Sequence, residues 1–489
     1  MHAIVIGAGF GGIASALRMR AKGYSVTLID RCDRLGGRGQ VFERDGFRHD
    51  AGPTVITAPF LLEELFQLFN EKMSDHLEMI PLTPWYRFVF SDGEHFNYGG
   101  SLSETETEIK RIAPHDLEGY RRLLAHSKRI FDVGFTKLSA LPFNNFLLML
   151  KQLPDLISLG SYKTVWQLVS SYLKSDKLRR AFSIQPLLVG GNPFDTTSIY
   201  SLIHFLENSF GVFFARGGTG AIIAELGHLM DRQGVRTILQ QTVTSIHIEN
   251  ETATGVHLES GDFVEADIII SNADAPYLYQ SMISNSKLSI MPRVKLATAH
   301  YSMGLYVLYF GTTRTYDDVA HHTIIMGDSY QELLKDIFHR KILNDDFSLY
   351  LHRPTATDKS FAPEGCESFY VLCPVPNLKG NIDWQHEGEK LKNRIIKSLG
   401  KTVLPDLEET ITSSFFMTPQ DFKDDYLSMF GAGFSVAPLF RQSAWFRFHN
   451  KAEGIKNLYL VGAGTHPGAG LPGVLSSAKV VDALVPKCD

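Results

Sequence analysis

The sequence predicts an α/β protein that opens with a Rossmann-like dinucleotide-binding unit. Three observations support this prediction: a short apolar strand over 3–6, a glycine-rich turn over 7–12 that fits G-x-G-x-x-G, and a helical pattern over 13–21. A second strand pattern over 25–29 follows and ends at Asp30. Strand, glycine turn, helix, strand and acid stand in the order that dinucleotide binding requires.

Each part of this unit has a chemical reason. Gly7 makes the tight turn, and Gly9 lets the backbone approach a pyrophosphate. Gly12 allows close packing of helix on strand, and the Asp30 carboxylate can accept hydrogen bonds from ribose hydroxyls. The first segment is therefore expected to bind a dinucleotide.

A secretory signal or a membrane anchor fits the same segment less well. A signal peptide needs an unbroken apolar core, and glycines interrupt this one. A membrane span needs about 20 mostly apolar residues, and Arg18, Arg20 and Lys22 come too early for that.

Composition limits the function classes. The 489 residues are enough for two or three domains, and a net charge of −5 gives no sign of nucleic-acid binding. The four cysteines contain no C-x-x-C pair, so we expect a reducing, cytoplasmic location. His321-His322 has no third ligand at a helical or hairpin spacing, so no metal site is predicted.

Other glycine-rich segments extend the nucleotide-binding pattern. Gly36-Gly37-Arg38 and the run "DAGPT" (50–54) come soon after the first unit, and a middle segment (214–274) opens with "RGGTG". Near the C-terminus, a strand over 458–461 precedes a glycine-rich loop and a helix from about 473 to 484. The N-terminus of that helix would present free N–H groups to an electron-rich ligand.

Specific motifs along the whole chain resemble those of the FAD-dependent amine-oxidase-like superfamily. Within it, the chain is most similar to bacterial-type phytoene desaturases, the carotenoid dehydrogenases. The matching motifs are "DAGPTVIT" (50–57), "LLVGGNPF" (187–194), "RGGTGA" (216–221), "SNAD" (271–274), "FSLYLH" (347–352), "APEG" (362–365), "QSAWFR" (442–447) and "NLYLVGAGTHPGAG" (457–470). One departure is Asp30, where many members carry Glu.

The resemblance implies FAD as cofactor and desaturation of a linear carotenoid precursor such as phytoene, with hydride passing to flavin N5. It also implies a long polyene substrate and peripheral attachment to a membrane surface, and a quinone or dioxygen is the expected electron acceptor. Still open are a carotenoid isomerase or ketolase, an amine or porphyrinogen oxidase, and a non-catalytic carotenoid carrier. The candidate cofactor-binding residues are Gly7, Gly9, Gly12, Asp30, Gly37, Arg38, Gly52, Pro53, Thr54, Val243, Gly462, Gly464, Gly473 and Val474.

The expected architecture has two domains. Residues 1–80, 215–290 and 440–489 would form the FAD-binding domain. Residues 81–214 and 291–439 would form a mixed-sheet substrate domain, in which 295–311 is a strand pattern and about 104–180 a helical, membrane-facing lobe.

The region 110–180 carries 13 Lys and Arg against 5 acids and includes the apolar stretch 135–160. Two interpretations of that stretch remain: a membrane-contact patch centred on Phe146 and Leu147, or two core helices broken at Pro142 and Pro154.

Few residues stand out as catalytic candidates. Asp176 and Arg179 are the only named acid/base candidates, because the matching helix in related desaturases borders the substrate cavity. His466 either lies near the flavin or caps a turn. Aromatic side chains could line the substrate tunnel or fill an ordinary core: Trp85, Tyr86, Phe88, Phe90, Phe205, Phe210, Phe213, Phe214, Phe415, Phe416, Phe430 and Phe434.

Overall fold

The computed structural model describes residues 1–139, 141–143 and 146–488. Its strands are β1 (His2–Ile6), β2 (Ser25–Ile29), β3 (Val41–Arg44), β4 (Phe47–Asp50), β5 (Met79–Pro81), β6 (Tyr86–Val89), β7 (His95–Tyr98), β8 (Phe213–Ala215), β9 (Arg236–Ile238), β10 (Val243–Glu249), β11 (Thr252–Leu258), β12 (Phe263–Glu265), β13 (Ile268–Ser271), β14 (Gly304–Thr312), β15 (His322–Ile325), β16 (Leu349–His352), β17 (Glu367–Val375), β18 (Ile411–Met417) and β19 (Leu458–Leu460).

Its α-helices are α1 (Phe10–Ala21), α2 (Phe60–Gln67), α3 (Leu102–Ile112), α4 (Leu117–Gly134), α5 (Phe146–Ser158), α6 (Val165–Ser170), α7 (Asp176–Phe182), α8 (Leu202–Phe210), α9 (Gly218–Arg232), α10 (Ala275–Tyr277), α11 (Ile290–Thr298), α12 (Tyr330–Lys335), α13 (Trp384–Thr402), α14 (Leu407–Thr410), α15 (Pro419–Tyr426) and α16 (Leu471–Leu484). The mixed α/β class predicted from the sequence is confirmed.

A five-stranded parallel sheet has the order β19-β13-β1-β2-β9, so it combines strands from both ends and the middle of the chain. Its strands β1 and β13 are nearly continuous apolar runs, as expected of a parallel sheet covered on both faces. On one face, α1, α9 and α16 contribute buried residues to a single core with β1, including Ile13, Leu226 and Leu475. This layering brings the carboxyl ends of β1, β13 and β19 to one edge.

A seven-stranded mixed sheet has the order β18-β14-β17-β16-β15-β6-β7. Helix α13 covers one face, where Leu391 and Ile395 join the core that contains Leu308. The predicted strand pattern over 295–311 is only partly correct, because β14 begins at Gly304 and residues 290–298 form α11. Pro292 lies in the first turn of α11, where its missing N–H removes no helical hydrogen bond.

Helices α3 to α8 lie between β7 and β8 in the sequence. The predicted break at Pro154 is wrong, because α5 continues through this residue. Met149 and Leu156, on either side of it, are both buried in one small cluster against the segment 444–446. Positions 140, 144 and 145 lie outside the described residues, as do the side chains of Phe146 and Leu147, on which the membrane-contact prediction was centred.

None of the helices in the described part of the chain is long and apolar enough to cross a bilayer.

Candidate active site

Two large cavities share a wall near the carboxyl edge of the parallel sheet. The first, here called the glycine-lined cavity, spans about 1650 Å³, and the second, the apolar cavity, about 2150 Å³, each counted with its open mouth. Both are lined by Gly52, Pro53, Tyr370, Leu372, Phe434, Ala469, Gly470 and Leu471. A group bound in one cavity can therefore contact a molecule bound in the other.

The structure brings most of the predicted cofactor residues together. Those that line the glycine-lined cavity are Gly7, Gly9, Asp30, Gly37, Arg38, Gly52, Pro53, Val243, Gly462, Gly464 and Val474. Thr54 and Gly473 line the apolar cavity instead. Gly12 lines neither; a Cβ there would lie 1.8 Å from the Gly7 carbonyl oxygen, so its role is the close packing of α1 on β1.

The N-terminus of α1 faces the glycine-lined cavity. Gly9 precedes the helix and provides no side-chain cap, and the first turn contains no acidic residue. The first N–H groups of the helix are therefore available to an anionic ligand such as a diphosphate. A Cβ on Gly9 would lie 2.9 Å from Asn272 Nδ2, and one on Gly11 would lie 2.5 Å from Asn272 Oδ1, so side chains at these positions would fill the turn.

The Asp30 carboxylate is buried at the end of β2. Its Oδ2 accepts a hydrogen bond from the Ala8 N–H (2.5 Å), and its Oδ1 accepts one from the Cys32 N–H (2.7 Å). Asp30 therefore holds the glycine turn and the following loop in place. Each oxygen keeps a further lone pair, so acceptance of a ribose hydroxyl remains compatible with this geometry.

Arg38 connects the glycine-lined cavity to the loop over 428–433. Its guanidinium donates to the Gly433 carbonyl (2.7 Å) and to Ser428 Oγ (3.0 Å). Burial lowers the pKa of Arg38, and the negative charge of Asp274 offsets part of that effect. Asp274, in the "SNAD" motif, accepts from the Met429 N–H (3.0 Å) and fixes the same loop.

The C-terminal glycine loop depends on Arg447, which sequence reasoning did not single out although it ends the "QSAWFR" motif. Its side chain is fully buried and donates to the carbonyls of Ala463 (2.6 Å), Thr465 (2.9 Å) and Val436 (3.1 Å). Through Ala463 and Thr465, this one guanidinium holds the loop between β19 and α16.

The apolar cavity is lined almost entirely by uncharged side chains. Among the described residues, it contains one carboxyl group, that of Glu207, and no Lys or Arg. Of the predicted tunnel aromatics, Tyr86 and Phe434 line it. The others lie elsewhere: Trp85, Phe88, Phe90, Phe205, Phe210, Phe213, Phe214, Phe415, Phe416 and Phe430.

Glu207 lies on α8 and is 1% exposed. Its Oε1 accepts a hydrogen bond from the Tyr86 hydroxyl (2.8 Å), and its Oε2 accepts a longer one from Tyr98 (3.4 Å). Burial raises the pKa of Glu207 to about 7, although both tyrosines act to lower it. Sequence reasoning missed this residue, and the available signal was a lone acid in the apolar run "SLIHFLENSF".

The predicted acid/base pair is not brought to the site. Asp176 is more than half exposed and forms an ion pair with Arg180 Nε (2.7 Å) on the same helix. Arg179 Nε donates to the Leu173 carbonyl (2.8 Å). Neither residue lines either cavity, because the polar face of α7 is turned away from both.

His466 lines the apolar cavity near its shared wall. Its Nε2 donates to the Leu138 carbonyl oxygen at 3.0 Å, and its ring packs edge-on against Phe143. Burial lowers the pKa of His466 to about 4, so the imidazole is uncharged at neutral pH. The residue therefore ties the C-terminal loop to the segment after α4.

A third imidazole joins His321-His322, contrary to the expectation that none was available. His352 on β16 pairs in register with His322 on β15, and one ring nitrogen of each of the three histidines lies within 4.8 Å of the others. Burial lowers the pKa of all three, so they are uncharged. Strand pairing brings these residues together across 30 positions of sequence, which no spacing rule for helices or hairpins covers.

Comparison with known proteins points to one family. A family model described as flavin containing amine oxidoreductase matches residues 10–481. The chain is 45% identical to a lycopene-forming phytoene desaturase from Pantoea ananas over 98% of both chains. It is 41% identical to a neurosporene-forming phytoene desaturase from Rhodobacter capsulatus, over 99% of this chain and 94% of the relative. Putrescine oxidase with bound putrescine has the same fold (TM-score 0.66, 14% identity, covering 99% of this chain and 98% of that one).

Proposed function

The chain belongs to the flavin-containing amine oxidoreductase family, and we propose that it catalyses FAD-dependent desaturation of a linear carotenoid precursor such as phytoene. The observation that carries this proposal is the shared wall between a glycine-lined cavity and an apolar cavity of about 2150 Å³. A bound cofactor and an uncharged hydrocarbon substrate can come into contact there, at Pro53 and Gly470. The desaturase relatives, similar over nearly the whole chain, give the substrate class.

The glycine-lined cavity fits FAD. The uncapped N-terminus of α1 suits the diphosphate, and Asp30 retains lone pairs for the ribose. The N-terminus of α16, also without a side-chain cap, lies at the shared wall with Gly470 and Leu471, and Val474 lines the glycine-lined cavity beside it; these residues would hold the redox-active ring. The bound flavin supplies the hydride acceptor, N5, which no side chain can replace.

The apolar cavity would orient the polyene and exclude water. Among the described residues its lining offers no Lys or Arg to bind an acidic substrate, and its surface is predominantly carbon. Burial of a long hydrocarbon provides binding free energy of about 25 cal/mol per Å² removed from water. Orientation of the reacting carbons against the flavin then accounts for much of the rate.

The finer features of the sequence prediction belong to the same proposal. Residues 1–80, 215–290 and 440–489 are proposed as the FAD-binding domain, with 81–214 and 291–439 as the substrate domain. We place the helical lobe of about 104–180 against a membrane surface, with a membrane quinone or dioxygen reoxidising the flavin.

A single-turnover experiment tests this function. Purified holoprotein is mixed anaerobically with phytoene in liposomes, and the expected result is one flavin reduced for each double bond formed. A carrier would leave the flavin oxidised, and an isomerase would form product without a gain in double bonds. An absolute requirement for NAD⁺ as hydride acceptor would contradict the proposal.

A further inference from the structure

We propose that the Glu207 carboxylate is the catalytic base that removes the proton during desaturation. This inference rests on the proposed function and adds to it the group that receives the second hydrogen. Among the described residues that line the apolar cavity, Glu207 carries the only carboxyl group.

The chemistry requires such a group. One C–H bond of the substrate breaks with its electron pair, and this hydride goes to the flavin. The adjacent C–H bond loses only its proton, and its electron pair becomes the second bond of the alkene. The proton needs an acceptor inside a predominantly apolar cavity. Positive charge develops on the substrate as the hydride leaves. A buried carboxylate serves both needs, because it attracts the developing cation and accepts the proton.

The contacts of Glu207 hold it ready for this task. Tyr86 donates to Oε1 at 2.8 Å and also lines the apolar cavity, whereas Tyr98 donates to Oε2 from the buried side. Two hydroxyl donors stabilise the charged form enough for a base to exist without a neighbouring cation. Because burial raises the pKa of this carboxyl to about 7, the charged and neutral forms interconvert near neutral pH.

The titratable groups around Glu207 do not compete with it in that pH range. Tyr86, Tyr98 and Tyr120 face it from β6, β7 and α4, and burial raises the pKa of each further above its ordinary value. His204 lies one turn earlier on α8, with a pKa lowered by burial to about 4.

His322, which packs near the Tyr86 ring, has a pKa lowered to about 3. Thr54 lies 2.7 Å from the Tyr350 hydroxyl, and both line the cavity, but neither is a base at neutral pH.

The test compares wild type with Glu207→Gln, which keeps the shape of the side chain. The rate of phytoene-dependent flavin reduction in wild type should rise about tenfold per pH unit below pH 7 and level off above it. Glu207→Gln should be slower by about 100-fold or more and independent of pH. A second readout needs no turnover: an infrared carboxylic-acid band that titrates near pH 7 in substrate-free holoprotein should be absent from the variant.

Tyr86→Phe provides an independent check if Glu207→Gln fails to fold. Loss of the 2.8 Å hydrogen bond to Glu207 should move the midpoint of the pH–rate profile upward, because that bond favours the charged form of the carboxyl group. Tyr330→Phe is the matched control: it removes a buried hydroxyl that does not line the cavity, and the midpoint should not move.

If Glu207→Gln keeps the wild-type rate and pH profile, or if Tyr86→Phe leaves the midpoint in place, Glu207 is not the base. Failure of wild type itself to reduce its flavin with phytoene would instead overturn the proposed function.

Discussion

Single glycines control whether the nucleotide can approach the backbone. Gly9 is the clearest case, because it lines the glycine-lined cavity at the start of α1 and a Cβ there would lie 2.9 Å from Asn272 Nδ2. A side chain at position 9 would therefore either press on Asn272 or extend into the cavity that the nucleotide would occupy.

We therefore expect Gly9→Val to lose bound FAD, with at least a tenfold weaker affinity. The branched side chain would occupy the space that the diphosphate needs, and overpacking of this kind costs about 1–3 kcal/mol. The measurement is the flavin-to-protein absorbance ratio after gel filtration. Gly400→Ala is the control, since its new Cβ would meet only Leu407 at 3.9 Å, and its flavin content should match wild type. Normal occupancy in Gly9→Val would show that the cofactor lies elsewhere.

The sequence predicted these glycines because the motif is local, with turn, helix and acid all within 30 residues. Glu207 was missed for the opposite reason. Its environment is made by Tyr98 and Tyr86, which are 109 and 121 positions away, and only the folded chain places both hydroxyls on one carboxylate. The structure places Asp176 and Arg179 away from both cavities, which the sequence could not show. Charge on a helix indicates that a polar face exists but not the direction in which that face points.

At the scale of elements, strands were easier to predict than the loops between them. The predicted bounds of β2 and β19 agree with the structure within one residue, because Asp30 ends the apolar positions of β2 and Gly462 follows the apolar run of β19. The C-terminal glycine loop has no such pattern. Arg447 holds it through the carbonyls of Ala463 and Thr465, and these contacts leave no trace in the sequence.

Arg447→Met should release this loop and lower both stability and FAD occupancy. Four backbone carbonyl oxygens, those of Val436, Gln442, Ala463 and Thr465, would lose a charged donor, and each unpaired buried group costs about 1–3 kcal/mol. We expect the free energy of unfolding to fall by at least about 3 kcal/mol in urea titrations of the holoprotein. Arg441→Met, on an exposed residue of the same segment, should leave both properties unchanged. Equal losses in the two variants would argue against a specific role for Arg447 in the loop.

At the scale of the whole molecule, the apolar cavity is lined both by the helical lobe and by the segment 440–444. Phe440 lines the cavity and is 39% exposed, and Met149 and Leu156 of α5 line the same region from the other side. Ile157 and Tyr162 are exposed nearby in sequence, within the region that carries 13 basic and 5 acidic residues. Apolar side chains surrounded by basic ones are typical of surfaces that bind anionic bilayers.

Membrane attachment through this lobe predicts that Ile157→Asp combined with Tyr162→Asp weakens binding to anionic vesicles. The variant loses apolar burial, worth about 1.5–3 kcal/mol for a side chain such as Ile, and gains two charges that the lipid headgroups repel. Vesicle affinity in a flotation assay should therefore fall by at least about tenfold, with the flavin spectrum intact. Phe263→Asp with Ile342→Asp is the matched control, since both side chains are about half exposed but lie outside the basic region. An equal loss in the control pair, or unchanged binding in the test pair, would show that the lobe is not the membrane contact. The substrate would then have to reach the cavity by another route.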